Sequence, residues 1–192
     1  MQNVGQWTQR APTGEGCVES SYLKGRTRVS EANYDVVILG AGSGGYAAAL
    51  RAAQLGMKVA LIEGDKVGGT CLHRGCIPTK AYLHVADTVD TINESAQFGV
   101  NATLDGVDMD KVGHYRDSVV NKLYRGVEGL IGSRGVDVIH GWGRVTSPTT
   151  VDVNGTTVTG KNLILATGSY SKTLPNLPIE GRVITSDQAL KM

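Results

Sequence analysis

A glycine-rich turn between an apolar run and a helical segment is the feature that most constrains the fold of this chain. The apolar run YDVVIL occupies residues 34–39, and an alanine-rich segment that ends near Leu55 follows the turn. A second apolar run, KVALI, lies at 58–62. Strand, turn, helix and returning strand together predict a βαβ unit. The turn has the pattern G-x-G-x-x-G, formed by Gly40, Gly42 and Gly45.

The glycine spacing is typical of a turn that binds the pyrophosphate of a dinucleotide. The first glycine allows the tight turn, the second lets the backbone approach the pyrophosphate, and the third lets helix and strand pack closely. Backbone N–H groups at the helix start, where Ser43 and Gly44 lie, would donate to the anion. Glu63 ends the second strand and would accept hydrogen bonds from an adenosine ribose, and its charge disfavours a 2′-phosphate there. The alternatives are a turn that serves only packing and a Glu63 that is a plain surface carboxylate.

Two cysteines five positions apart are the second chemical signal. In a regular helix the Cα atoms of Cys71 and Cys76 would be roughly 8.6 Å apart, beyond the ~7 Å limit for a disulfide. The backbone between them must therefore be irregular if they bond. Gly75 can relax the turn, and Pro78 fits the start of a helix rather than its interior. We expect an irregular turn that leads into a helix from about residue 77.

The surroundings of the cysteines favour redox chemistry over metal binding. A helix N-terminus and a cation both stabilise a thiolate, and Lys80 follows Cys76 by four residues, which makes Cys76 the better candidate for a stabilised thiolate. Zinc is the competing interpretation, but a structural site usually needs four ligands. The third cysteine, Cys17, lies in a separate polar segment, and the spacing of His73 and His84 matches neither a zinc finger nor a zinc ribbon. We therefore expect no metal.

The position of the cysteine pair indicates which dinucleotide the chain binds. A disulfide a few residues after Glu63 would lie beside whatever the βαβ unit holds. A two-electron dithiol couple needs a carrier that can pass electrons to sulfur, and a flavin can do this. FAD also has an ADP half that suits the βαβ unit. The sequence therefore favours FAD over NAD as the bound cofactor.

Composition is that of an ordinary globular domain. The 192 residues are 41% hydrophobic and 19% charged, with a formal net charge of +1. This length and hydrophobic content are enough for one domain with a hydrophobic core. Near-neutral charge predicts no nucleic-acid partner, and no apolar run is long enough for a transmembrane helix. Since the chain also shows no hydrophobic signal region, we expect no membrane association and a cytoplasmic location.

Patterning after the cysteines predicts an α/β fold. Helices are expected through about residue 92 and over 108–133, strands near 136–139, 144–145, 150–153 and 156–158, and a buried strand at 163–166. Asn154-Gly155 is a strong hairpin turn. The expected fold is a Rossmann-like three-layer domain with a parallel sheet and a small antiparallel hairpin layer. An apolar stripe on the second helix predicts core or interface packing, and it consists of Val112, Tyr115, Val119, Leu123, Val127 and Leu130.

These motifs together resemble the pyridine nucleotide-disulfide oxidoreductases of class I, most closely the branch that oxidises dihydrolipoamide. The resemblance covers about residues 34–192, and its specific parts are the glycine turn, Glu63, GGTC-x4-CIPTK at 68–80 and LILATGS at 163–169. It implies an enzyme that uses FAD to oxidise dihydrolipoamide to lipoamide with NAD as acceptor, as a component of 2-oxo acid dehydrogenase complexes.

The resemblance also implies roles for individual residues. Cys71 would be the interchange thiol that meets dihydrolipoamide, Cys76 the thiol that contacts the flavin, and Lys80 the lysine near the flavin ring. His73 departs from the asparagine that is commoner at its position. Further cofactor-binding residues implied by motif position are Gly69, Thr70, Gly143, Ala166, Thr167 and Gly168.

Domain organisation follows from the same resemblance. Residues 1–33 are expected to be a disordered extension, 34–180 the first segment of an FAD-binding domain, and 181–192 the start of a linker to an NAD domain. The full family form is a homodimer whose substrate is dihydrolipoamide on a lipoyl domain. Because no second glycine fingerprint and no histidine-glutamate motif occur here, we expect this chain alone to be inactive in NAD-linked turnover. The alternatives are a non-catalytic FAD-fold fragment and a mercuric or glutathione reductase-like enzyme, although Ile77-Pro78-Thr79 favours lipoamide.

Overall fold

The structure is a computed structural model that describes residues 33–192. Apart from Asn33, which begins the first strand, the expected disordered extension lies outside the described residues. The described chain divides into two compact units. We call residues 33–67 with 130–167 the sheet unit, and residues 68–129 with 168–192 the disulfide unit.

The sheet unit confirms the predicted βαβ motif and the hairpin. Six strands of the described chain form one sheet in the order β3-β2-β1-β6-β5-β4. Strands β1, β2, β3 and β6 pair in parallel, whereas β4, β5 and β6 pair antiparallel. The elements of this unit are β1 (Asn33–Leu39), α1 (Ser43–Gln54), β2 (Val59–Glu63), β3 (Asp137–His140), β4 (Gly143–Ser147), β5 (Thr150–Val153) and β6 (Thr156–Leu165).

The parallel strands of the sheet unit form its middle layer and are packed on both faces. One face of the parallel strands packs against the antiparallel strands, with Val37 and Ile62 meeting Val151 and Val158 in one buried cluster. Side chains alternate along a strand, so the equally buried Ile38 and its neighbours point to the opposite face, where α1 packs on β1 and β2. The predicted three-layer α/β architecture is therefore confirmed.

The hairpin between β5 and β6 has the predicted turn. Val153 pairs with Thr156 across a two-residue loop. Asn154 has φ +54° and Gly155 φ +83°, as a two-residue turn with both central residues left-handed requires. Beyond the hairpin, β6 continues without interruption to Leu165, so the two strands expected at 156–158 and 163–166 are one.

The disulfide unit contains the predicted helices. Helix α3 begins at Cys76, close to the expected start, and α4 matches the helix expected over 108–133, with its last turn in the sheet unit. The elements are α2 (Gly69–Arg74), α3 (Cys76–Glu94), a short 3-10 helix (Ser95–Phe98), α4 (Met109–Ser133) and α5 (Ser186–Ala189).

Two expectations about burial differ from the structure. Tyr115, Leu123 and Leu130 are 40–45% exposed, so this part of the stripe does not lie in the core of the described residues, and its packing at an interface stays a prediction. Ile131 is the buried residue of α4. Apolar residues that recur every three or four positions can lie on either of two adjoining rows of a helix. In the structure the more buried row is the one that contains Ile131. The end of β6 is also not buried, since Ile164 is 39% and Leu165 59% exposed.

Within the disulfide unit, Arg116 holds the segment that contains α5. Its guanidinium donates to the hydroxyl of Tyr82 at 2.6 Å and to the carbonyl oxygen of Leu190 at 2.6 Å. It also pairs with Asp117 at 2.8 Å. These contacts fix α5 against α3 and α4, because a guanidinium presents several donors in a rigid fork.

Candidate active site

The glycine turn after β1 is closely packed at its first and third glycines. Gly40 has φ +99°, and a Cβ atom there would overlap the carbonyl oxygen of Ala166. A Cβ atom on Gly45 would overlap the carbonyl oxygen of Gly40. Only glycine fits these two positions without a shift of the backbone, which agrees with the tight-turn and close-packing roles that the spacing predicts.

The start of α1 faces open space. Gly42 is the N-cap residue of α1. No side chain of the described residues forms a capping hydrogen bond there, and the first turn contains no acidic residue. Ser43 and Gly44 are exposed, and a Cβ atom on Gly44 would meet nothing within 4 Å. A helix start with uncapped N–H groups and room in front of it fits an anion such as a pyrophosphate.

Glu63 bridges the glycine turn and the end of β2. Its Oε2 atom accepts a hydrogen bond from the Ala41 N–H at 2.7 Å, and its Oε1 atom accepts one from the Asp65 N–H at 2.9 Å. The side chain is half-buried. Each carboxylate oxygen keeps a second lone-pair direction, so the group can still accept from ribose hydroxyls. Sequence reasoning missed the Ala41 contact, for which no motif is diagnostic.

Trp142 and Gly143 lie beside the end of β2. Gly143 is buried, and a Cβ atom there would overlap Leu39 and lie 2.9 Å from Val151. The Trp142 ring covers Gly64, whose Cβ atom would lie 2.7 Å from the indole, while the tryptophan remains 38% exposed. Gly143 thus has a packing reason to be glycine, independent of any cofactor contact.

The segment after β6 returns to the glycine turn. Ala166 N–H donates to the Leu39 carbonyl at 2.8 Å, and the Ala166 carbonyl oxygen adjoins Gly40. Thr167 is exposed and is the last residue of the sheet unit. Gly168, with φ +74°, begins the next segment of the disulfide unit. Ala166 therefore lies against the turn, as its implied role requires.

Cys71 and Cys76 form a disulfide within the disulfide unit, and their Cα atoms are 4.7 Å apart. Gly75 separates α2 from α3, and the break in the helix brings the two sulfur atoms together. A Cβ atom on Gly75 would lie 3.0 Å from the Thr70 carbonyl oxygen. We expected an irregular turn before α3, but residues 69–74 form the helix α2. The backbone is irregular only at Gly75, between α2 and α3. Cys17 lies outside the described residues.

The first turn of α3 presents Cys76 to solvent. Cys76 is the first residue of this 19-residue helix and is exposed, whereas Cys71 is half-buried. Pro78 is buried in the first turn, where the missing N–H leaves no helical bond unmade. Lys80, one turn further along, is exposed. Of the other residues implied to bind the cofactor here, Gly69 is half-buried and Thr70 exposed, both at the start of α2.

The described residues contain no group of three or more His, Cys, Asp or Glu side chains that could hold a metal ion. Within the same residues, none of the helices combines the length and apolar character that crossing a membrane demands.

Comparison with known proteins identifies relatives over most of the chain. Residues 34–192 match the family described as pyridine nucleotide-disulphide oxidoreductase. The chain is 46% identical over 173 residues to a dihydrolipoyl dehydrogenase of Bacillus subtilis, covering 83% of this chain and 36% of that protein. It is 43% identical over 159 residues to a dihydrolipoyl dehydrogenase of Thermus scotoductus, covering 83% of this chain and 34% of the relative.

A third relative is the dihydrolipoyl dehydrogenase of Acholeplasma laidlawii, 43% identical over 166 residues, with 83% of this chain and 49% of that protein covered. The chain thus spans about a third to a half of the length of these relatives. The family match extends over nearly all of the described residues, including the glycine turn and the cysteine pair. The chain belongs to the pyridine nucleotide-disulphide oxidoreductase family.

Proposed function

We propose that this chain is the FAD-binding part of an enzyme that oxidises dihydrolipoamide to lipoamide, with NAD as the final electron acceptor. In the longer protein it would act as a homodimer on lipoyl domains of 2-oxo acid dehydrogenase complexes. The observation that carries the proposal is the disulfide between Cys71 and Cys76 at the start of α3, in a chain that also carries a glycine turn suited to a dinucleotide. The names of the relatives support the choice of dithiol.

The glycine turn and Glu63 would hold the ADP half of FAD. The N–H groups at the start of α1, around Ser43 and Gly44, would donate to the pyrophosphate, and the Glu63 carboxylate would accept from the ribose. The chemistry that bound FAD would supply is two-electron transfer between the reduced cysteine pair and NAD. The remaining residues assigned to the cofactor are Gly40, Gly42, Gly45, Gly69, Thr70, Lys80, Gly143, Ala166, Thr167 and Gly168.

The cysteine pair would carry out thiol-disulfide exchange. One thiolate of dihydrolipoamide attacks the Sγ atom of Cys71, which forms a mixed disulfide and releases Cys76 as a thiolate. The second substrate thiolate attacks the substrate sulfur of the mixed disulfide, which closes the lipoamide ring and releases Cys71. Two electrons pass to the cysteine pair, and the two protons of the substrate thiols pass to the cysteines or to solvent.

Helix α3 supports this direction of attack. Exchange is faster when the departing sulfur is a stabilised thiolate. Cys76 is the first residue of α3, where the helix N-terminus favours a negative charge, and Lys80 lies one turn along. Attack on Cys71 therefore releases the sulfur that the helix stabilises, which supports Cys71 as the interchange thiol.

The thiol step can be tested on this chain without NAD. We expect dihydrolipoamide to reduce the disulfide with formation of about one equivalent of lipoamide per chain, measured by quenching and chromatography. The variant Cys71→Ser should form none, and the control Cys17→Ser should behave as the unsubstituted chain. Absence of lipoamide formation would contradict the proposed substrate.

The same experiment separates the alternatives. If glutathione reduces the disulfide as fast as dihydrolipoamide at equal thiol concentration, a glutathione reductase-like function is favoured. If neither thiol reacts although the disulfide is intact by mass spectrometry, the chain is a non-catalytic FAD-fold module. Titration with FAD, followed by quenching of flavin fluorescence, tests the cofactor independently of the thiol chemistry.

A further inference from the structure

We infer that Glu63 is a positioning residue that holds the glycine turn in its binding shape before any ligand is present, in addition to its ribose role. The inference rests on the proposed function, since it concerns how the same turn is prepared for a dinucleotide. It assigns to one carboxylate both a structural bond to the turn and a contact to the ligand.

The hydrogen-bond ladder between β1 and β2 gives the first argument. The Gly40 N–H donates to the Ile62 carbonyl oxygen at 2.8 Å, so backbone pairing extends one residue past the end of β1. The next amide, that of Ala41, donates to the Glu63 carboxylate at 2.7 Å. The side chain therefore supplies an acceptor to the first amide beyond the backbone pairing of β1 with β2.

Burial gives the second argument. Ala41 is fully buried, and a buried N–H without a partner costs free energy comparable to that of a lost hydrogen bond. A bond from an N–H to a carboxylate is also stronger than one between neutral groups. The bond from Ala41 thus keeps the turn where Gly40 adjoins the Ala166 carbonyl and the start of α1 faces open space.

The second oxygen of Glu63 gives the third argument. Its Oε1 atom accepts from the Asp65 N–H at 2.9 Å, so the carboxylate is fixed from both sides. A carboxylate held in this way does not have to reorganise when a ribose arrives, and such preorganisation lowers the cost of binding. The Asp65 side chain is exposed and carries the same charge as Glu63. A substitution that removes the Asp65 charge therefore serves as a control for the loss of the Glu63 charge.

Amide exchange in the ligand-free chain tests the inference. We expect Glu63→Ala to speed exchange of the Ala41 amide at least about tenfold, as expected for loss of a buried charged hydrogen bond, by NMR or mass spectrometry. Glu63→Gln keeps the shape and one acceptor oxygen, and it should give a smaller increase. Asp65→Asn removes the same charge two residues away and should leave the Ala41 rate unchanged. Equal rates in all four proteins would overturn the inference.

Ligand affinity provides the second readout. ADP and 2′,3′-dideoxy-ADP differ only in the ribose hydroxyls. If Glu63 also shapes the turn, Glu63→Ala weakens both ligands, and ADP more than the dideoxy compound. Unchanged affinity for dideoxy-ADP would show a contact to ribose alone and would overturn the inference. If neither ligand binds the unsubstituted chain, the proposed cofactor role fails, whereas amide exchange still decides the role of Glu63 in the turn.

Discussion

At the scale of single residues, Tyr34 links packing in the sheet unit to pH. Its side chain is 4% exposed, and Lys58 lies 5.0 Å from the ring centroid. Burial, together with the neighbouring and hydrogen-bonded Asp137, raises the pKa of Tyr34 to about 12 from an ordinary 10.0. The native protein therefore keeps a proton that the unfolded chain releases between these two values.

We predict that the free energy of unfolding falls as the pH rises above 10. The stabilising effect of protonated Tyr34 is complete below the unfolded pKa and is lost as the pH passes through the folded pKa. Two pKa units correspond to about 2–3 kcal/mol. Urea unfolding between pH 8 and 12 measures this loss, and Tyr34→Phe should largely remove the slope. An equal slope in both proteins would show that other groups cause it.

Two adjacent glycines of the turn offer a second prediction. Gly45→Ala should destabilise the protein by about 1–3 kcal/mol, because the added methyl group would overlap the Gly40 carbonyl oxygen. Gly44→Ala has open space in the same helix turn and should be neutral or stabilise by up to about 1 kcal/mol. Chemical denaturation measures both. If the two variants are equally unstable, close packing is not what selects glycine at position 45.

Gly44→Ala also separates stability from binding. The added methyl group would lie in open space in the first turn of α1, where we place the pyrophosphate. We therefore expect weaker binding of ADP by this variant with undiminished stability. Titration calorimetry measures the affinity, and unaltered binding would place the ligand elsewhere.

At the scale of elements, the last turn of α4 contains one buried and one exposed apolar residue. Ile131 is 1% exposed, whereas Leu130 is 45% exposed. We predict that Ile131→Ala destabilises the protein by about 2–5 kcal/mol and Leu130→Ala by clearly less. Thermal unfolding of the two variants provides the comparison. A larger loss for Leu130→Ala would indicate that its row is covered in solution.

The elements that could be predicted from sequence are those set by local chemistry. The first strand and helix follow from an apolar run and a glycine turn, and the hairpin follows from Asn154-Gly155, whose residues adopt the required positive φ angles. The choice of packed row on α4 could not be predicted, because apolar residues occupy two adjoining rows. The helical turn before Gly75 was also missed, since glycine and two cysteines give no helical period.

The candidate site could be predicted only in part for a related reason. Motif spacing identifies Gly40, Gly45 and Glu63 as residues of one turn, and the structure brings them together. The bond from Ala41 to Glu63 depends on where the β1–β2 ladder ends, which residue types do not reveal. Likewise, the packing role of Gly143 depends on Leu39, more than one hundred residues earlier in the chain.

At the scale of the whole molecule, the residues proposed to hold the ADP half of FAD and the cysteine pair belong to different compact units. The glycine turn, Glu63 and Gly143 lie in the sheet unit, and both cysteines lie in the disulfide unit. We predict that the double variant Cys71→Ser/Cys76→Ser binds ADP within about twofold of the unsubstituted chain, because the disulfide belongs to the other unit than the glycine turn and Glu63. Fluorescence or calorimetric titration measures this.

A control keeps that prediction specific. Glu63→Ala should weaken ADP binding while leaving the cysteine disulfide intact in non-reduced peptide maps. A more than tenfold loss of ADP affinity in the double cysteine variant would show that the two units depend on each other for binding.

The central pairing of β1 with β6 has a consequence for how the protein is made. Leu39 and Leu165 are register partners, although most of the chain lies between them. During synthesis at about 5–20 residues per second, β1 leaves the ribosome roughly 10 s before β6 can join it. For that time the backbone groups along one edge of β1 lack their final partners, and Val37 lacks Val151 and Val158, with which it forms a buried cluster. The nascent chain should therefore depend on chaperones most strongly between translation of the glycine turn and translation of β6.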